Sequence, residues 1–120
     1  MSNQIQNPKR IYDLKQRTAR FGANIILLVK KLKQDNINKP IISQLIRAAT
    51  SIGANYMEAD AAESKKDFRH KIGICKKESK ETLHWLHMLS VAHKEINTEL
   101  RNLYKEAHEL TLIFSTIFKK

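Results

Sequence analysis

Ser64–His93 reads SKKDFRHKIGICKKESKETLHWLHMLSVAH, and its spacing decides the fold. Phe68, Ile72, Cys75, Ser79, Thr82, Leu86 and Leu89 recur at intervals of four and three, which lines them up on one face of a helix. Ser64 is a suitable N-cap, with Asp67 three residues on as a shortened capping box. The helix predicted here runs to about His93, about 43 Å at a rise of about 1.5 Å per residue, with an overhang or bend near Gly73. A second seam has the same spacing: Ile74, Glu78, Glu81, Trp85, Met88 and Ala92. One helix therefore offers more apolar surface than a single core consumes.

Working outward, the same period recurs on both sides. Leu14, Thr18, Phe21, Ile25, Leu28 and Leu32 predict a first helix from about Tyr12 to Gln34. Asp35–Lys39 (DNINK) then reads as a turn, and Pro40 fits the first turn of a second helix capped near Asn38 or Lys39. That helix continues on Ile42, Leu45, Ala49, Ile52 and Tyr56 to about Ala59. Leu100, Leu103, Ala107, Leu110, Phe114 and Ile117 predict a fourth helix from Asn97 or Thr98. Links of about five residues force sequential helices to turn back on one another. The fold class is all-α, an antiparallel up-down-up-down four-helix bundle occupying residues 1–120, with 1–11 as a basic arm.

Length and composition agree. The 120 residues suit one domain, and only three Gly and two Pro interrupt a helix-forming composition. Cys75 is the sole cysteine, so no internal disulfide exists. MSNQIQNPKR at the start lacks the apolar core of a secretory signal, and no apolar run approaches the ~20 residues of a membrane span. The expectation is a cytoplasmic protein without a membrane partner.

The net charge of +10 is unevenly spread, with +7 in residues 1–39. Such an excess favours polyanions, although a solvated basic surface that serves solubility has the same composition. The candidate nucleic-acid contacts are Lys9, Arg10, Lys15, Arg20, Lys30, Lys31 and Lys33, extended by Lys65, Lys66 and Arg69 at the start of the third helix. No aromatic residue interleaves with them, which points to backbone contact rather than base stacking.

Apolar residues also remain off the core stripes: Ile26 and Leu27 on the first helix, Leu112 and Ile113 on the fourth. They suggest a second interface. The second helix has Arg47 and Glu58 as its only charges, and its outer face is small and polar. Counting back from the turn at Ala61–Ala62 sets Arg47 level with Lys76–Glu78, so Glu78 is its expected partner.

Catalytic chemistry finds no constellation. Glu81, His84 and His87 form one E-x-x-H-x-x-H string, whereas carboxylate-bridged di-metal bundles need two E-x-x-H motifs and two more inward Glu. Cys75 sits on the core stripe with no His one turn away, so it reads as a small buried hydrophobe. There is no glycine-rich phosphate loop, nucleophile elbow or zinc spacing. The expectation is a protein that is not an enzyme and has no cofactor or metal.

Gln44–Leu89, QLIRAATSIGANYMEADAAESKKDFRHKIGICKKESKETLHWLHML, goes beyond a generic bundle. An R-A-x-x-S-I-x-x-N-x-x-E run (Arg47, Ala48, Ser51, Ile52, Asn55, Glu58) precedes an acidic-Ser loop, then Asp67–Phe68, Lys77–Glu78 and Trp85–Leu86. This pattern resembles the four-helix bundle family of proteins encoded in intervening sequences of bacterial 23S ribosomal RNA genes. Similar bundles include the accessory variability proteins of diversity-generating retroelements. The resemblance implies a homopentameric ring with Arg47, Ser51, Asn55, Glu58, Lys77, Glu78 and Trp85 as motif and interface residues. It also implies RNA or DNA binding through a basic surface and a reverse transcriptase as protein partner. The resulting expectation is a non-enzymatic, nucleic-acid-associated oligomer, an accessory to a reverse transcriptase. The alternative is a structural or protein-binding scaffold.

Overall fold

The structure, a computed structural model, describes residues 7–120, with side chains from Leu14 onward. Four helices follow one another: α1 (Asn7–Val29), α2 (Asn38–Asp60), α3 (Lys65–Ala92) and α4 (Asn97–Lys119), with a 3-10 turn at Lys94–Ile96. Among the described residues there is no strand. The chain is an antiparallel up-down-up-down four-helix bundle. One end holds the α1–α2 and α3–α4 links. The other holds the α2–α3 link beside the start of α1 and the end of α4.

The core is built from the stripes the periodicity predicts. Leu14, Phe21, Ile25 and Leu28 of α1 meet Ile42, Leu45, Ala49, Ile52 and Tyr56 of α2. Ile72, Cys75, Leu86 and Leu89 of α3 and Leu100, Ala107, Leu110 and Phe114 of α4 complete it. Tyr56 and Phe114 tilt against each other with ring centroids 6.0 Å apart. Four buried hydroxyls are satisfied locally. Thr18, Ser79, Thr82 and Thr111 each donate to the carbonyl four residues back, at 2.7–2.8 Å. That removes the cost of a buried unpaired donor without breaking the apolar seam.

Ser64 caps α3 as its sequence predicts, accepting from the Asp67 amide at 3.0 Å. The end of α1 differs from expectation. The helix stops at Val29 rather than Gln34, and Lys31 and Leu32 donate three residues back to Leu28 and Val29, tightening the last turn. Asn38 is the physical cause. Its buried amide accepts from the Asp35 amide at 2.8 Å and donates to the Lys33 carbonyl at 2.9 Å, holding the chain in a turn that helix would forbid. The Asp35 carboxylate adds bonds from the amides of Ile37 and Asn38, both 2.8 Å, which pull it below the usual carboxylate range. Leu32, past the helix end, is only half-buried.

α1 and α2 approach closely where Gly53 faces Thr18. A Cβ at Gly53 would lie 3.3 Å from Thr18 Oγ1 and 3.5 Å from its backbone carbonyl carbon. Gly53→Val drives two methyls into the α1 backbone and is expected to cost about 2 kcal/mol. A urea midpoint equal to the wild type's would show that the two helices part freely here.

Candidate functional site

Arg47 organises the outer α2–α3 face. It extends across the helix pair so that Nη1 lies 3.2 Å from Glu78 Oε1 and Nη2 pairs with Glu81 Oε2, while Nε donates to Gln44 Oε1 at 3.1 Å. Glu78 is buried at 8 % exposure, whereas half of the Arg47 side chain reaches solvent. The Trp85 indole donates to Glu81 Oε2 at 3.0 Å. That bond first, then Arg47, holds the Glu81 carboxyl below its ordinary value. Helical register anticipates the Glu78 contact, which forms within one chain. Glu81 as a shared acceptor is missed, although its i+3 spacing from Glu78 and i−4 spacing from Trp85 is the available signal.

The other motif residues divide. Ser51 Oγ donates to the Ala48 carbonyl and Asn55 Nδ2 to the Ser51 carbonyl, both 2.8 Å, so each turns to its own helix. Glu58 pairs with Lys71 at 2.6 Å. Lys77 is exposed on the far side of α3.

The basic residues fall into two groups at opposite ends. Lys30, Lys31 and Lys33 occupy the exposed turn after α1, whereas Lys65, Lys66 and Arg69 lie exposed on the first turns of α3. Antiparallel packing sets these ends apart, so neighbours in the first third of the sequence do not form one patch with the start of α3. Lys15 pairs with Asp60 at 3.2 Å, and Arg20 is exposed. The side chains of Lys9 and Arg10 lie outside the described residues.

Arg17 is the cation that sequence reasoning overlooks. Its Nε and Nη2 grip Glu106 at 2.7 and 2.8 Å, and Nη2 also reaches Glu109 at 2.7 Å. The two carboxylates raise its already high pKa further, the Glu106 hydrogen bond first. The i,i+3 pair Glu106–Glu109 is the only signal for it in the sequence. Elsewhere, among the described residues, α1 and α4 touch little. Nearer the link-bearing end a cleft of about 660 Å³ opens between them, with Leu27 and Lys30 on one wall and Glu99 and Leu103 on the other. Ile26, Leu27 and Leu112 are exposed as expected, whereas Ile113 turns inward and packs against the core.

The Glu81–His84–His87 string is committed otherwise. Glu81 serves Arg47 and Trp85, His84 packs edge-on against Trp85 at 4.8 Å, and His87 is exposed. Among the described residues no His/Cys/Asp/Glu group has the geometry to hold a metal ion. Cys75 is fully buried, and desolvation pushes its thiol up to about 12, far from a reactive thiolate. No described helix is long and apolar enough to cross a membrane.

Comparison with known proteins agrees with the motif reading. The family model described as "23S rRNA-intervening sequence protein" matches residues 10–116. A crystal structure of a protein of unknown function from the S23 ribosomal protein family of Bacteroides thetaiotaomicron is 29% identical, with a TM-score of 0.78. The match covers 89% of this chain and 99% of that one. No curated protein matches.

Proposed function

The chain belongs to the 23S rRNA-intervening sequence protein family, and on that premise we propose that it is a non-enzymatic homo-oligomer that binds nucleic-acid backbone through its basic ends. The observation that carries this reading is the cluster of unpaired, exposed cations at each end. Glu58, Asp60, Glu78, Glu81, Glu106 and Glu109 are committed to Lys71, Lys15, Arg47 and Arg17 along the flanks of the bundle. Lys30, Lys31 and Lys33 at one end, and Lys65, Lys66 and Arg69 at the other, have no ion-pair partner among the described residues and are exposed. Exposed cations without internal partners are available for phosphate contact.

Self-association is supported by the apolar surface beside the α1–α4 cleft, where Leu27 is 58% exposed. The number five rests on the family resemblance. Light scattering should report a species several times 13.9 kDa at about micromolar concentration. A monomer there would overturn the oligomer.

Wild-type protein should shift RNA and DNA of unrelated sequence at about 50 mM salt and release them steeply as salt rises. Reversing Lys30, Lys31 and Lys33 to Glu should weaken all sequences alike and flatten the salt dependence by up to about three phosphate contacts. No shift at low salt would leave a protein-binding scaffold as the function.

A further inference from the structure

At the end opposite Lys30–Lys33, a cleft of about 510 Å³ opens between α3 and the end of α4. Lys66, Arg69, Gly73 and Lys77 follow one another at helical spacing along its α3 wall, with His70 beside them and Phe118 of α4 as its floor. No carboxylate lines it. None of Lys66, Arg69 or Lys77 has an ion-pair partner among the described residues, whereas Lys71, one position round the helix, is neutralised by Glu58.

The floor is shaped for this arrangement. Arg69 donates from Nε to the Phe118 carbonyl at 2.9 Å, and its guanidinium carbon lies 4.0 Å above the Phe118 ring. Both contacts fix the plane of the guanidinium while leaving its Nη groups as donors. A Cβ at position 73 would meet Phe118 Cε1 at 3.0 Å, so Gly73 lets the ring settle onto α3. An apolar floor beside these cations keeps water away from one side and strengthens their attraction for an anion.

We propose that this cleft seats a phosphate group. The guanidinium supplies a planar donor pair to the oxyanion, and Lys66 one turn before it and Lys77 about two turns after it add flanking positive charge. Because Arg69 already covers a face of Phe118 and Gly73 supports its edge, the ring holds the cleft open for phosphate and is not a base-stacking platform. The inference deepens the nucleic-acid reading by assigning its phosphate contact at this end, and it has an independent readout.

Amide chemical shifts of the full chain are followed while inorganic phosphate, then a 5′-phosphorylated oligonucleotide and its dephosphorylated counterpart, are added. Phosphate should move amides of residues 66–77 and of Phe118 at lower concentration than those of residues 30–33. Lys66→Gln with Lys77→Gln, both exposed positions, should weaken phosphate binding about ten-fold, and Arg69→Gln should do so independently. A preference for the phosphorylated oligonucleotide identifies a terminal phosphate as the occupant, and equal binding of both identifies the internal backbone. If inorganic phosphate leaves these amides unmoved, or the double variant binds it as wild type does, the cleft is not a phosphate seat. Nucleic-acid binding that then persists belongs to the Lys30–Lys33 end. Phosphate seated here with no oligonucleotide bound upholds the seat and removes the nucleic-acid reading.

Discussion

Asn38→Ala should destabilise the bundle by about 2–4 kcal/mol, a fall in melting temperature of roughly 10 °C for a domain of this size. The residue is 1% exposed, and its amide joins the α1–α2 turn to the end of α3. Oδ1 accepts from the Asp35 amide and Nδ2 donates to the Lys33 carbonyl, so two backbone groups fix which way the amide points. The same Nδ2 lies against His93 Nε2. That nitrogen must therefore accept, which leaves the proton on Nδ1, where it is donated to Glu95 Oε2 at 2.6 Å. Truncation orphans a carbonyl, an amide and an imidazole nitrogen together, each costing about 1–3 kcal/mol where water cannot replace the partner. Asn38→Asp supplies a sharper test. It keeps the acceptor for Asp35 but presents oxygen to Lys33 and to His93. It should therefore be destabilised as well, although less than the alanine variant, because one of the three bonds is kept. An alanine variant that melts with the wild type would remove the amide from any structural role.

Arg47→Ala should be the second large effect, at about 2 kcal/mol. The value sits between the 3–5 kcal/mol or so of a fully buried pair and the under ~1 kcal/mol of an exposed one, because Glu78 is buried while Arg47 is half in water. Removing the guanidinium leaves Glu78 and Glu81 one helical turn apart without the cation that pairs them. Glu78→Ala should cost less, since Arg47 retains Glu81. The pH dependence follows from Glu81, whose folded-state carboxyl lies below its unfolded value. Its stabilisation is complete above the unfolded value of about 4.3 and drains as pH falls through the lowered folded one. The Arg47→Ala defect should accordingly be largest near neutral pH and shrink on acidification. Equal melting temperatures for wild type and both variants at neutral pH would mean that the pair is fully solvated.

Where the sequence is legible, the reason is that one element states its own geometry. The stripes on all four helices are written in 4-3 spacing, and the Ser64 cap lies three residues from its amide, so both can be read locally. The stop of α1 at Val29 cannot, because it depends on which way the buried Asn38 amide turns, toward Lys33 and Asp35 and against His93, 55 positions further along. The Arg17 grip on Glu106 and Glu109, and the Glu81 half of the Arg47 site, depend on how helices rotate about their axes. Spacing within a single helix does not contain that information. Ile113 fails for the same reason, turning inward where its wheel position points outward. The candidate basic surface suffers from the opposite error. Lys15, Lys30–Lys33 and Lys65–Arg69 look continuous when counted along the chain, but the antiparallel turn between them carries charge to both ends.

The sparse α1–α4 seam also orders the ways in which the molecule opens. Among the described residues α3 packs along both α2 and α4, whereas α1 rests mainly on α2, and its ion pairs to α4 come from one guanidinium and two carboxylates. Fluctuations that lift α1 away from α4 therefore lie at the bottom of the free-energy ladder, below those that part α3 from its neighbours. Amide exchange should release α1 first. Because an ion cluster at the surface is screened within about 8 Å at physiological ionic strength, added salt should speed that release while leaving the α3 amides protected. The helix next to the basic Lys30–Lys33 turn is thus also the one whose attachment is most sensitive to salt.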